Sequence, residues 1–292
     1  MAWTKWENVA GFDFKDIIYE KKYHTELEGG VARVTINRPD KLNSFTNLTQ
    51  DEMFRAVDDA SHDSLIGAVV LTGAGDKAFS AGGDVGWEAT GLREQFYWRY
   101  PPNQIVRMCR KPIIAAVKGW AIGGGHHLAY VCDFTIAADN AKFGQNGPRV
   151  ASPADGYLVA YLTRVVGAKK AREIWMLCRR YNAQQALEMG LVNAVVPLDK
   201  LDEEVDKWCA EILEKSPTCI QILKATFDAE SSHLRHEDTF DMQKLMFPDF
   251  QNSDEQKEAQ NAFFEKRQPD FLKFREKGYA EYLKKRTVVH IK

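Results

Sequence analysis

The chain is 292 residues long, 45% hydrophobic, and carries 39 lysines and arginines against 41 aspartates and glutamates. That length supports a sizeable core with room for a second small module, and the balanced charge excludes a broad nucleic-acid surface, so any anionic ligand must be held by local groups. The cysteines, Cys109, Cys132, Cys178, Cys209 and Cys219, lack the C-x-x-C pairing of redox or zinc motifs and several sit in apolar runs, which reads as buried free thiols in a reducing compartment.

Residues 1–16 are aromatic and polar without a clear period and read as an N-terminal arm that packs on the body or on a neighbour. The start, Met1-Ala2-Trp3-Thr4-Lys5-Trp6, has no apolar signal region, and no run of about 18 apolar residues occurs, so the expectation is a soluble cytoplasmic protein without a membrane contact. Ile17 to Asn37 reads as two strands about a Glu28-Gly29-Gly30 turn, with Val31 to Ile36 alternating. Arg38 to Ser44 is a loop by its Pro and Asn content. Gln50 to Ala60 has helical spacing through Met53, Phe54, Val57 and Ala60, and the apolar run Gly67 to Leu71 completes a strand–helix–strand unit, which favours parallel pairing with a right-handed crossover.

Glu88 to Val106 is crowded with Phe96, Tyr97, Trp98 and Tyr100 and interrupted by Pro101-Pro102. It reads as a surface helix packing its rings on the core, as a lid lining a pocket, or as both. A strand follows over Pro112 to Val117, then Gly123, Gly124 and Gly125, then a helical run. Asp133 to Ala138 is a strand and Phe143 to Pro148 a turn. Gly156 to Val166, Ala168 to Cys178 and Ala183 to Met189 are short helices, and from Leu201 onward the period is helical throughout: Leu201 to Lys215, Thr218 to Asp228, His233 to Leu245 and Asp254 to Arg267. The order predicts an α/β core over residues 17–200 and a helical C-terminal region over 201–292. No convincing internal repeat is visible.

The stretch with most chemistry is Ile113 to Cys132, where a strand ends, three glycines strip the backbone of side chains, and a helix begins. Unshielded N–H groups at a helix start favour developing negative charge on an oxygen. Ala78-Phe79-Ser80-Ala81-Gly82-Gly83-Asp84 offers a second stretch of this kind after Gly67 to Leu71. Either alone reads as a structural turn. No H-E-x-x-H, Walker loop or G-x-S-x-G elbow is present.

The pair A-F-S-A-G-G-D and G-W-A-I-G-G-G-H-H, with G-V-A-R-V-T-I-N-R-P-D-K-L-N-S before them, resembles the crotonase (enoyl-CoA hydratase/isomerase) superfamily, from about Phe12 to Phe274. F-G-Q-N-G-P, R-V-V-G-A-K-K-A-R-E-I-W-M-L-C-R-R-Y, M-G-L-V-N and E-K-R-Q-P-D-F are most similar to the 1,4-dihydroxy-2-naphthoyl-CoA synthase branch, which includes the 2-ketocyclohexanecarboxyl-CoA hydrolases. The resemblance implies a ββα superhelix with a helical trimerisation region, a homotrimer or a hexamer built as a dimer of trimers, and an acyl-CoA substrate whose coenzyme A is the only cofactor, with no metal. It implies that the N–H groups of Gly83 and Gly124 hold the thioester oxygen, where losing one donor typically costs about 3 kcal/mol of transition-state stabilisation. Ala81, Gly82, Asp84 and Tyr157 then line the substrate, and Lys41 and Lys266 meet phosphates as point charges.

The acid/base positions depart from the relatives. The two glutamates of the hydratases correspond to His127 and Gly147, and the catalytic aspartate and tyrosine of the naphthoyl-CoA synthases to Ala154 and Gln251. Gly147 matches the glycine that makes room for bicarbonate in one synthase subtype. Asp155 resembles the aspartate of dehalogenase and β-diketone hydrolase members, and equally reads as a helix N-cap. His126 and His127 point about 100° apart, so one of them faces the site; by resemblance it is His127, a candidate acid/base near neutral pH, with a hydrogen-bonded core histidine as the alternative. The expected function is addition of water to a cyclic acyl-CoA, by hydration or hydrolytic ring C–C cleavage. The alternatives are Dieckmann-type ring closure by a naphthoyl-CoA synthase and a catalytically silent crotonase-fold binding protein.

Overall fold

A computed structural model describes residues 2–88, 90, 102–152, 154, 156–232, 246–247, 249–272 and 274. The N-terminal arm contributes β1 (Glu7–Asn8), antiparallel to β2 (Ile17–Tyr23), which pairs antiparallel with β3 (Gly30–Ile36). Helix α1 (Asn47–His62) starts at a capping box in which the Thr46 and Thr49 side chains satisfy each other's backbone N–H, and it buries Met53, Ala56, Val57 and Ala60 at helical spacing. β4 (Ile66–Gly73), β5 (Ala78–Ser80) and α2 (Val85–Glu88) follow. The aromatic segment expected to be a lid lies mostly outside the described residues, which resume with α3 (Pro102–Met108).

The central steps are β6 (Ile113–Val117), β7 (Trp120–Ile122), α4 (Gly124–Val131), β8 (Phe134–Ala138) and β9 (Lys142–Gly144). Then come α5 (Gly156–Val166), α6 (Ala168–Leu177), β10 (Arg180–Asn182), α7 (Ala183–Glu188), β11 (Ala194–Val196), α8 (Leu201–Leu213), α9 (Pro217–Glu230) and α10 (Asp254–Phe264). One sheet runs β1-β2-β3-β4-β6-β8-β11, parallel from β3 onward; the other runs β10-β9-β7-β5. Each of the steps β4–β5, β6–β7 and β8–β9 places its first strand in the large sheet and its second in the small one. The repeated turn that the sequence hides is thus plain in the topology. The Phe143–Gly144 pair, expected in a turn, belongs to β9.

Both faces of the large sheet are covered, which is why its strands read as apolar runs. Val69 and Leu71 enter the inner cluster with α1, α4 and α5, while Ala68 and Val70 enter an outer one beneath Leu201, Val205 and Cys209 of α8. Helix α8 is therefore the outer layer of the core. Cys109 and Cys132 lie in the inner cluster, Cys178 is also buried, and Cys219 on α9 is exposed. Burial pushes the thiols of Cys109, Cys132 and Cys209 up. Arg107 of α3 donates to Tyr157 Oη at 2.9 Å and Ser231 Oγ at 2.7 Å, tying α3, α5 and the end of α9 together. Beyond that tie α9 presents Ile222, Leu223 and Phe227 outward, Phe227 at 74% exposure. No helix among the described residues is long and apolar enough to cross a membrane.

Candidate active site

The first glycine turn is built by polar side chains. Ser80 Oγ, at the end of β5, donates to the Asn43 carbonyl at 2.7 Å and accepts from the Gly82 N–H at 3.1 Å. Asn43, fully buried, donates through Nδ2 to the carbonyls of Ala74 and Ala78 at 3.0 and 2.7 Å. The Ala81 N–H reaches the Leu42 carbonyl at 2.9 Å, so the loop carrying Lys41 lies against the turn. Gly82 takes φ +94, a conformation L side chains rarely adopt. Asp84 closes the turn by accepting from the Trp87 N–H at 3.1 Å and from Arg38 Nη2 at 3.0 Å. Burial opposes ionisation of Asp84, but the Trp87 N–H and the Arg38 guanidinium outweigh it and hold its carboxyl below the usual range.

Phe45 joins this turn to the second. Its N–H donates to the Gly82 carbonyl at 2.9 Å and its carbonyl accepts from the Asp84 N–H at 3.0 Å, a parallel bridge that leaves the Gly83 N–H on the other side of the chain. The second turn places Gly123 at φ 56, ψ −121, open only to glycine, and starts α4 at Gly124. A Cβ on Gly125 would stand 2.1 Å from the Ser80 carbonyl oxygen, one on Gly124 2.5 Å from Phe45 Cζ, and one on Gly82 2.6 Å from the Gly124 nitrogen. The two turns therefore meet backbone to backbone. No backbone acceptor among the described residues takes the N–H of Gly83 or Gly124.

A carboxylate that the sequence reading passes over also belongs here. Glu88, the last residue of α2, places Oε1 2.3 Å from where a Cβ of Gly83 would stand. The available signal was spacing: a residue four after the Asp84 cap returns to the face of the turn.

A family profile described as Enoyl-CoA hydratase/isomerase matches residues 26–274. The chain belongs to that family. It is the crotonase superfamily, whose members process acyl-CoA, and the fold agrees. A methylmalonyl-CoA decarboxylase solved in complex with 2-nitronate-propionyl-CoA is 26% identical, with a TM-score of 0.78 over 89% of this chain and 99% of that one. An enoyl-CoA hydratase/carnithine racemase from Magnetospirillum magneticum is 30% identical, with a TM-score of 0.69 over 90% and 97% of the chains. An enoyl-CoA hydratase from Mycobacterium avium subsp. paratuberculosis K-10 is also 30% identical, with a TM-score of 0.71 over 88% and 99%.

The other expected site residues of this crotonase chain scatter around the turns. His127 packs its ring on Trp175 at 5.1 Å and on Tyr130 at 5.8 Å; His126 meets Tyr130 at 5.0 Å and its Nδ1 lies 2.9 Å from Gln145 Nε2. Burial pushes both imidazoles down to about 3, so both are neutral at neutral pH. The Nε2 atoms of both histidines and the Trp175 Nε1 are buried without a partner among the described residues. Tyr157 is buried, stacked on Tyr161 at 5.1 Å and bonded to Arg107 and Ser231, which makes it a strut between helices. Lys41 is exposed beside the first turn. It adjoins a cleft of about 350 Å³ whose wall carries Asp40 and Asp76 as well as Lys77. Lys266 is exposed past the end of α10, and no contact among the described residues joins it to the turns. Asp155 lies outside the described residues. At Gly147 a Cβ would stand 2.6 Å from the Ser152 carbonyl oxygen, so only glycine fits that turn.

Proposed function

We propose that the protein stabilises the enolate of a cyclic acyl-CoA thioester and adds water to it, with hydrolytic ring C–C cleavage as the leading reaction. The observation that carries the reading is the backbone contact between the two turns, with the Gly83 and Gly124 N–H groups unclaimed by the backbone. Two fixed N–H dipoles favour an oxyanion over a carbonyl without reorganising. The cyclic acyl group rests on the motifs F-G-Q-N-G-P and E-K-R-Q-P-D-F, which resemble the 1,4-dihydroxy-2-naphthoyl-CoA synthase branch.

In the leading reaction water forms a bond to the ring ketone carbon and the bond from that carbon to Cα breaks. Its electron pair enters the thioester as an enolate whose oxygen lies between Gly83 and Gly124, and Cα is then protonated. Asp155 is the first candidate to accept the proton of water and His127 the second. Lys41, exposed beside the first turn, is the candidate to meet the phosphates of coenzyme A. The outward Ile222, Leu223 and Phe227 of α9 support assembly into a trimer or hexamer.

The test is mass spectrometry of products from wild type, Asp155→Asn and His127→Ala, offered 2-ketocyclohexanecarboxyl-CoA, a cyclic enoyl-CoA and o-succinylbenzoyl-CoA. A gain of one water that collapses in Asp155→Asn is the expected result. Loss of one water from o-succinylbenzoyl-CoA would make the protein a ring-closing synthase, and tight coenzyme A binding with no turnover of any substrate would make it a silent binding protein.

A further inference from the structure

We infer that Arg149 and Arg180 form a binding site for an oxyanion, a carboxylate or a phosphate, beside the short 3-10 turn Gly147–Arg149. Arg180, in β10, is partly buried, and its guanidinium meets only neutral oxygens. Its Nη1 donates to the carbonyl of Gln145 and, at 3.1 Å, to that of Cys178, while Nη2 donates to Asn146 Oδ1 at 2.9 Å. Of its five N–H groups three are thus placed, and two, the Nε–H and one on Nη2, remain for a further acceptor. No carboxylate among the described residues pairs with Arg180 or Arg149. Glu173, which bonds the residues on either side of Arg180, is committed to Lys170, Arg179 and the Tyr181 hydroxyl.

The second cation arrives on the same turn. The Arg149 N–H donates to the Asn146 carbonyl at 2.9 Å, so Asn146 holds one arginine by its side chain and the other by its backbone. Arg149 is exposed. Burial, and after it the like charge of Arg149, push the Arg180 guanidinium down. Two cations brought together without a carboxylate repel each other, and one oxyanion between them turns that repulsion into two attractions. Guanidinium groups with donors to spare suit the paired oxygens of carboxylate and phosphate.

A glycine makes the room. A Cβ on Gly144 would stand 3.0 Å from Arg180 Nη1 and 3.1 Å from its Cδ, so the arginine stem lies flat across β9 because residue 144 has no side chain. The Gly144 carbonyl accepts from the Gly123 N–H at 3.0 Å, which with ordinary backbone lengths puts Nη1 within about 10 Å of the Gly123 nitrogen. An oxyanion at that distance has two sources. One is the carboxylate that ring cleavage leaves at the far end of the acyl chain, and this source rests on the enolate reading above. The other is a free anion such as phosphate, which does not.

Calorimetry at constant ionic strength, balanced with chloride, tests the site with three probes. They are inorganic phosphate, heptanedioyl-CoA (the ring-opened form of 2-ketocyclohexanecarboxyl-CoA) and heptanoyl-CoA, which lacks the far carboxylate. Wild type should bind heptanedioyl-CoA about 10-fold or more tighter than heptanoyl-CoA, and the preference should fall below about 2-fold in Arg149→Gln and Arg180→Gln. Equal binding of the two esters, with a saturable phosphate isotherm that both variants lose, keeps the site and assigns it to a free anion; this is also the result if the enolate reading alone fails. Variants that match wild type on all three probes overturn the inference and leave the enolate reading standing. Should Arg180→Gln misfold by circular dichroism, Arg149→Gln decides, because its side chain is exposed.

Discussion

The two glycine turns touch, yet they are shaped by opposite means. The turn at Gly123 to Gly125 is set by volume and backbone shape: the Cβ directions of Gly124 and Gly125 run into a buried ring and backbone, and Gly123 occupies a glycine-only conformation. The turn at Ala81 to Asp84 is set by polar side chains, with Asn43, Ser80, Arg38 and Asp84 each making specific bonds. Substitution of Gly124 or Gly125 should break the fold, whereas substitution of Gly83 or of a polar side chain in the first turn should cost less stability and act more on chemistry.

Gly125→Ala is the strongest way to break that contrast. Its Cβ would meet the Ser80 carbonyl oxygen at 2.1 Å and carbon at 2.7 Å, neither of which can rotate away. The expected cost is about 3 kcal/mol or more in urea unfolding; a cost below about 1 kcal/mol would mean that the turn yields.

A comparable effect comes from the histidines that follow this turn. Their folded-state values, about 3, lie below the ordinary 6.5, so the unfolded chain takes up protons the native state refuses. Stability is therefore full above pH 6.5 and falls as pH drops towards 3, by up to about 1.4 kcal/mol per pH unit for each ring. Denaturant melts at pH 7 and pH 5 should differ by about 4 kcal/mol in wild type and by about half that in His127→Leu. Equal losses in the two proteins would show that His127 is solvated.

In the first turn, Arg38→Ala should cost about 2 kcal/mol, because it strands a carboxylate that is only 17% exposed. The folded Asp84 value is depressed, so its contribution is present above the ordinary carboxylate range and is lost as pH falls below about 4. A melt comparison at pH 7 and pH 3 should find the gap between wild type and Arg38→Ala narrowing at the lower pH. Gly83→Ala is the mildest for stability, below about 1 kcal/mol, since its Cβ meets the movable end of Glu88. It should still slow turnover on the order of 100-fold by disturbing the proposed N–H donor. Normal turnover by a stable Gly83→Ala protein would show that this N–H does not hold the thioester oxygen.

The long elements were legible because their patterns are long. Val31 to Ile36 alternates, α1 shows Met53, Val57 and Ala60 on one face, and the twice-covered strands β4 and β6 read as apolar runs. The second sheet was not legible: β5, β7 and β9 are three residues each, too short for any period to show, and Phe143-Gly144 looked like a turn because of its glycine. In the site, the glycines were readable because a missing Cβ is itself the signal. Asn43 read only as a loop former and Phe45 only as an apolar residue, since their parts in the turns depend on partners 31 or more residues away in sequence. Glu88 was hidden at the head of an aromatic segment, and the burial that neutralises His127 comes from Trp175, on a helix that no local pattern places beside it.

The distribution of thiols gives the folded protein an internal clock. Cys219 is exposed, while Cys109 and Cys132 lie in the inner cluster and Cys209 lies under α8. A maleimide therefore reacts at one sulfur of the native chain, and each later addition marks an opening event. Labelling of Cys209 before Cys109 and Cys132, located by peptide mass, would time the detachment of α8 separately from loss of the layer that carries the glycine turns.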